Sequence, residues 1–227
     1  MLECIALGRR YGRKTAVSDL NLMLDAGKIH VLLGENGSGK TIFLKMAAGL
    51  LRPSRGHILF QGHPLSWRDR AKISWLSTES VFYDYMRVSD VEQYYADFFP
   101  DFDRERFFIL TQKLGLTDNP KVRNLSSGSG AKLRIAAALS RRAELFLLDE
   151  PLNGIDYKAR EEIISLILET ADETNAFVIS THLLDEIESF ADRALFFKEG
   201  RLICDVDPEE ERECTGRSIV ELYREIM

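Results

Sequence analysis

Eight consecutive residues, Gly34-Glu35-Asn36-Gly37-Ser38-Gly39-Lys40-Thr41, carry the strongest chemical signal in the chain. They satisfy the pattern G-x-x-x-x-G-K-[ST], follow a strand-like apolar run and precede a helix-like one over 43–50. Glycines at 34, 37 and 39 permit backbone angles that turn successive N–H groups toward one phosphate. The following helix aims its N-terminus at the same anion. Lys40 is placed to reach the β- and γ-phosphates, and the Thr41 hydroxyl to coordinate Mg²⁺. Such a loop specifies a nucleoside triphosphate without saying what is done with it. The second signal is Asp149-Glu150, which closes the apolar run 145–148 and lies 109 positions beyond Lys40. Strand ends of this kind are where α/β proteins hold ligands. Asp149 suits the metal shell and Glu150 suits activation of water, the two separate tasks that hydrolysis of a γ-phosphate requires.

These groups need a scaffold, and the hydrophobic pattern supplies one. Strand-like runs at 28–33, 57–60, 145–148, 177–180 and 194–197 alternate with helical stretches, which predicts an α/β protein with a sheet of parallel strands. Two of the runs are apolar on both alternating faces, as central strands covered on both sides must be. Over 158–170, Ile163, Ile164, Ile167 and Leu168 recur at helical spacing. Between 82 and 108 the character changes: ten aromatic residues crowd a segment reading mostly as helices, which predicts a helical lobe inserted into the sheet domain. Most of those rings are expected in the lobe's own core, with others facing a partner. The acidic run 209–213 reads as a solvated helical face.

With 227 residues, of which 45% are hydrophobic and 29% charged, the chain can bury a substantial core and is not a disordered polypeptide. Its apolar runs fall far short of the roughly 18 residues that cross a bilayer. The first ten residues lack the order of a secretory signal, so a cytoplasmic location is expected. Cys4, Cys204 and Cys214 form no CxxC pair and read as reduced thiols. A net charge of −6 gives no reason to expect a nucleic-acid partner.

In this order the motifs resemble those of the nucleotide-binding subunit of an ATP-binding cassette (ABC) transporter, over nearly the whole chain. Leu125-Ser126-Ser127-Gly128-Ser129 resembles the family's signature, usually LSGGQ, and leads into a helix-like run over 131–141. The resemblance makes Asp149 the Walker B aspartate and Glu150 the catalytic glutamate. It places Asp156 in the D-loop segment Asn153-Gly154-Ile155-Asp156, and makes His182, after Ser180-Thr181, the switch histidine. Tyr11 corresponds to the aromatic that stacks on adenine. The fold implied by the resemblance is an α/β P-loop NTPase sheet domain with an inserted helical lobe, the ABC ATPase fold. Residues 1–227 form one domain in this reading, with 1–80 and 144–227 as the RecA-like sheet subdomain and 81–143 as the helical signature subdomain.

By the same resemblance the nucleotide site comprises Tyr11, Gly34, Glu35, Asn36, Gly37, Ser38, Gly39, Lys40, Thr41 and Ile42, with Glu150, His182 and Lys40 catalytic. Mg²⁺ falls to Thr41 and Asp149, with Thr78 or Glu79 at the Q-loop position, while Ser126, Ser127, Gly128 and Ser129 face the nucleotide of a partner. Three motifs depart from the family pattern. Ile42 replaces a hydroxyl residue, removing a hydrogen bond to the α-phosphate worth about 0.5–1.5 kcal/mol. Thr78 or Glu79 stands where a glutamine is usual, and the serines at 127 and 129 add side chains where a partner's nucleotide approaches. The implied activity is ATP hydrolysis coupled to transport, with a second cassette subunit, identical or different, and a transmembrane permease as partners. The compact single cassette resembles bacterial exporters of antibiotics or other small molecules. A regulatory module that closes on ATP and hydrolyses it weakly is the alternative. A GTPase or small-molecule kinase is disfavoured: the chain has no Asn-Lys-x-Asp tetrad, and neither class accounts for 125–129.

Overall fold

Three strands are buried at every position, which explains their largely apolar sequence: β3 (Ile29–Leu33), β7 (Leu145–Asp149) and β8 (Ala176–Thr181). The structure is a computed structural model that describes residues 1–79, 81–184 and 189–227. With β6 (Ile73–Leu76), β9 (Arg193–Lys198) and β10 (Arg201–Val206), these strands form a six-stranded sheet in the order β10-β9-β3-β8-β7-β6. All of its pairings are parallel except that of β9 with β10. Because successive side chains of a strand face opposite ways, Val31, Phe146, Leu148, Phe177, Ile179 and Phe196 enter one core. Leu32, Leu145, Leu147, Val178, Leu195 and Phe197 enter the other.

The second core is closed by helix α1 (Lys40–Ala47) and by an antiparallel sheet of β1 (Leu2–Tyr11), β2 (Lys14–Leu24), β4 (Arg55–Phe60) and β5 (His63–Pro64), in the order β2-β1-β4-β5. This corrects the expectation of a parallel sheet that included 57–60, since that run pairs antiparallel with β1. The long strands β1 and β2 escape periodicity because their pairing is broken by irregularities, for example between Cys4 and Leu7, which interrupt the in-and-out alternation. Helix α1 begins at Lys40 and ends at Ala47, earlier than the expected 43–50, because the left-handed Gly39 opens it directly and Gly49 lies just beyond its end.

The first core is covered by α2 (Val88–Phe98), α3 (Arg104–Lys113), α4 (Ser127–Leu139), α5 (Tyr157–Thr170) and α7 (Ile219–Ile226). Local capping fixes where these helices begin, most plainly at three of them. The Ser126 side chain accepts from the Ser129 N–H at α4, Asp156 accepts from Ala159 at α5, and Ser218 and Glu221 form a reciprocal box at α7. Helix α6 (Pro208–Thr215) has no buried residue, as expected for the acidic run. The aromatic segment divides. Phe82 and Phe107 are buried, whereas Tyr83, Tyr85, Tyr94, Phe98 and Phe108 are exposed, and the stretch before Val88 is not helical. The expected boundary at 80/81 involves Ser80, outside the described residues.

Helix α4 is fastened along β6 by polar contacts. The Ser74 hydroxyl donates to the Ala138 carbonyl at 2.9 Å, and Arg141, 3% exposed, donates to Ile73 O, to Ala71 O and to both carboxylate oxygens of Asp101. Its guanidinium also lies 4.0 Å from the Phe99 ring centroid. Further along, Arg134 Nη1 donates to Thr78 O at 2.6 Å, so the helix led by residues 126–129 holds the strand that leads to Thr78.

His30 is wholly buried in β3, and its Nε2 accepts from the Asp25 N–H. Burial pushes its pKa below the ordinary value, against the weaker opposing pull of Asp25. A depressed histidine pKa means that the unfolded chain takes up a proton near pH ~6.5 that the folded chain refuses. Stability therefore falls as the pH drops through that value. Urea midpoints measured on either side of it should diverge for the wild type and less so for His30→Gln; equal pH dependence would contradict the assignment.

Candidate functional site

The loop 34–41 joins β3 to α1 and curls over the carboxyl end of the parallel sheet. Two glycines permit its path. Gly34 (φ 157°) packs so closely that a Cβ there would meet Phe197 O at 2.2 Å. At Gly39 (φ 108°) a Cβ would lie 2.5 Å from Ala16 O. The loop is bound to the strands beside it through Gly200 N to Ser38 O and Ser18 N to Gly200 O, both 2.8 Å. Ser38 Oγ is buried with no partner among the described residues, an acceptor and donor left for a ligand.

Lys40 lies almost wholly inside this loop, its Nζ donating to Gly34 O at 2.6 Å and Glu35 O at 3.2 Å. Burial lowers its pKa below that of an ordinary lysine, while the nearby Glu150 and Asp149 carboxylates pull it back. At the ends of β7 and β8 the acidic pair divides its contacts. Asp149, 1% exposed, accepts from Thr41 Oγ1 at 2.9 and 3.1 Å and from Ser180 Oγ at 2.7 Å. Glu150 stands 3.8 Å from Lys40 Nζ through Oε1 and accepts from His182 Nδ1 at 2.8 Å through Oε2.

Lys40, Thr41, Glu150 and His182 line a cavity of about 640 Å³, whereas Gly34, Asp149 and Ser180 do not line it. Its walls include Tyr11, residues 35–42, Thr78, Glu150, Asn153 and His182, a size and lining suited to a nucleotide. Tyr11 is half exposed at its rim, with the Arg9 guanidinium 4.6 Å from its ring centroid. Of the two candidates at the Q-loop position, Thr78 reaches the cavity wall. Ile42 lines the same wall while packing against the second core. Among the described residues no cluster of three or more His, Cys, Asp or Glu side chains could hold a metal unaided. One hydroxyl, Thr41, beside one buried carboxylate, Asp149, is instead the donor set that fits Mg²⁺ arriving with phosphate oxygens.

Known proteins give the resemblance an independent measure. A family model described as "ABC transporter" matches residues 17–153. The chain is 32% identical over 205 residues to the lantibiotic transport ATP-binding protein SrtF of Streptococcus pyogenes, covering 89% of each chain. The chain belongs to the ABC transporter family. It is an ATP-binding, ATP-hydrolysing subunit of such a transporter. A solved structure of an ATP-binding subunit of an ABC transporter matches its fold with a TM-score of 0.90 at 24% identity, covering 100% of this chain and 99% of that one. A dimeric ATP-binding cassette in a post-hydrolysis state, bound to ADP and Pi, matches with a TM-score of 0.81 at 21% identity, covering 91% of this chain and 98% of that one.

Not every residue singled out in the sequence of this ABC subunit reaches the cavity. Ser126, Ser127, Gly128 and Ser129 lie at the N-terminus of α4, away from it, and Asp156 serves as the N-cap of α5. Glu79 is exposed and does not line it. Lys14, Thr15, Ala16, Glu199 and Gly200 complete the wall and are not legible in the sequence, because the first three open β2 and the last two turn between β9 and β10, and neither stretch carries a motif. Ser180 reads in the sequence as a mere flank of His182. Substituting Gly39→Ala should combine backbone strain with a clash on Ala16 O, costing about 1–3 kcal/mol. A thermal melt should drop by roughly 2–10 °C, and an unchanged melt would show that the loop relaxes freely.

Proposed function

We propose that this subunit binds Mg-ATP against residues 34–41, hydrolyses it through Glu150, and drives export of a small molecule or peptide by a separate transmembrane permease. The observation that carries the reading is the convergence of Lys40, Glu150 and His182 on one cavity, with Glu150 contacting both of the others. Lys40 Nζ exchanges the Gly34 and Glu35 carbonyls for β- and γ-phosphate oxygens. Glu150 orients a water for in-line attack and accepts its proton, as the oxygen bonds to phosphorus and ADP leaves. His182 answers the γ-phosphate by donating a ring N–H to one of its oxygens. Bound Mg²⁺ neutralises phosphate charge; Thr41 and Asp149, with Thr78 beside them, are the residues assigned to it. Tyr11 stacks on the base.

The remaining assignments complete an assembly. The similarity to a dimeric cassette supports a second cassette subunit whose signature, the counterpart of Ser126, Ser127, Gly128 and Ser129, closes on this nucleotide, with Asp156 near the junction. In this reading 81–143 is a lobe distinct from the sheet subdomain 1–80 and 144–227. Similarity to SrtF, whose name specifies lantibiotic transport, supports export of an antibiotic-like cargo. No helix among the described residues is long and apolar enough to cross a membrane, so the permease supplies the membrane path and holds this subunit at the cytoplasmic face. The exposed, stacked pair Tyr83 and Tyr85, rings 5.5 Å apart, is the docking point for a cytosolic helix of that permease.

Two measurements test this function. Glu150→Gln should retain ATP binding while steady-state hydrolysis falls by about 10²-fold or more, whereas turnover equal to wild type would remove Glu150 from the chemistry. Replacing both Tyr83 and Tyr85 with Ala should abolish co-purification with the permease and leave ATP binding intact; an intact complex would move the docking point elsewhere.

A further inference from the structure

Ser180 occupies a position with more consequence than its place beside His182 suggests. It is completely buried and is the direct cross-strand partner of Asp149 in the parallel pairing of β7 and β8. Its hydroxyl does two things at once. It donates to Asp149 Oδ1 at 2.7 Å and accepts from the Glu150 backbone N–H at 2.9 Å, while Ser180 O lies 3.2 Å from the same N–H. One oxygen thus fixes the orientation of the buried carboxylate and the backbone of the next residue.

That second contact matters because Glu150 sits at φ 48°, in the left-handed region that a residue with a Cβ rarely adopts. A strained conformation persists only where its surroundings over-determine it. Here the strain turns the chain sharply at the end of β7, so that Asp149 points back into the network of Thr41 and Ser180 while Glu150 faces Lys40 and His182. Without the turn, consecutive residues of an extended strand would simply alternate across the sheet.

We infer that Ser180 is a positioning residue for the hydrolytic centre, holding Asp149 and the left-handed backbone of Glu150 in one register through a single hydroxyl. The inference rests on the assignment of Glu150 as the residue that orients water. Removing the hydroxyl leaves the Glu150 N–H with only the longer contact to Ser180 O and leaves Asp149 with Thr41 alone of its two hydroxyl donors. Misplacement of a reacting group by about 1 Å costs on the order of 10²-fold in rate. A purely structural serine would instead lower the amount of folded protein without altering its turnover number.

The test uses the full chain with Ser180→Ala, Ser180→Thr and Ser180→Val beside Glu150→Gln. Thr and Val have nearly the same shape, so their comparison isolates the hydroxyl from the added bulk. Steady-state hydrolysis by Ser180→Ala should show kcat lowered by about 10-fold or more, with KM within about 3-fold of wild type. Ser180→Thr should recover most of kcat, and Ser180→Val should not. Equilibrium ATP binding with and without Mg²⁺ gives a second readout, in which the metal-dependent gain in affinity shrinks in Ala and Val but not in Thr. This decides the matter even for a subunit that turns over slowly alone. Wild-type kcat and metal dependence in Ser180→Ala, or equal behaviour of Thr and Val, would overturn the inference while Glu150→Gln remained inactive. Full turnover by Glu150→Gln would instead overturn the assignment on which it rests.

Discussion

A carboxylate sealed at the end of an otherwise apolar strand is costly unless donors surround it, and Asp149 is such a group. Its donors come from two different elements: Thr41 from α1 and Ser180 from β8, while β7 supplies the carboxylate itself. Satisfying this one acceptor therefore ties the first turn after the phosphate loop to two central strands. Lys40 and Glu150 adjoin those anchor points and His182 lies two residues beyond Ser180, so their convergence is a consequence of the same junction. The strands can bring polar groups to this edge because alternate residues are spent on two separate cores, one on each face of the sheet.

The rest of the fold serves this edge in different ways. The antiparallel sheet delivers Tyr11 at the end of β1 and residues 14–16 at the start of β2, giving one wall of the cavity. Helix α4 carries residues 126–129 at one end and grips β6 and Thr78 through Ser74, Arg141 and Arg134. Side chains expected to face a second nucleotide and the segment lining the first are thus mechanically joined. At that helix terminus Ser127 is exposed and Ser129 half-buried.

Much of this is legible in the sequence where local chemistry is self-sufficient. A phosphate loop needs its glycines regardless of context, and strands covered on both faces show as continuous apolar runs, so 34–41, 145–148 and 177–180 can be placed directly. The features that cannot be read depend on partners distant in sequence. Strands β1 and β2 are obscured by irregular pairing, and the run 57–60 looks like a parallel strand until its antiparallel neighbour is known. Aromatic density signals a helical region without separating the buried Phe82 from the exposed Tyr83, because a loop has no period to assign its faces. Ser180 reads as an ordinary strand residue, since nothing in its neighbours announces that Asp149, 31 positions earlier, is its cross-strand partner.

Every role proposed for this edge depends on Lys40, Glu150 and His182 meeting one γ-phosphate, with Asp149 turned to its metal. A crystal structure of the Glu150→Gln subunit grown with ATP and Mg²⁺ tests it most directly. Density for the γ-phosphate is expected within hydrogen-bonding reach of Lys40 Nζ and His182, with the metal beside Thr41 and Asp149. A nucleotide whose γ-phosphate lies away from Lys40 and His182, while the loop 34–41 keeps its present form, would contradict it.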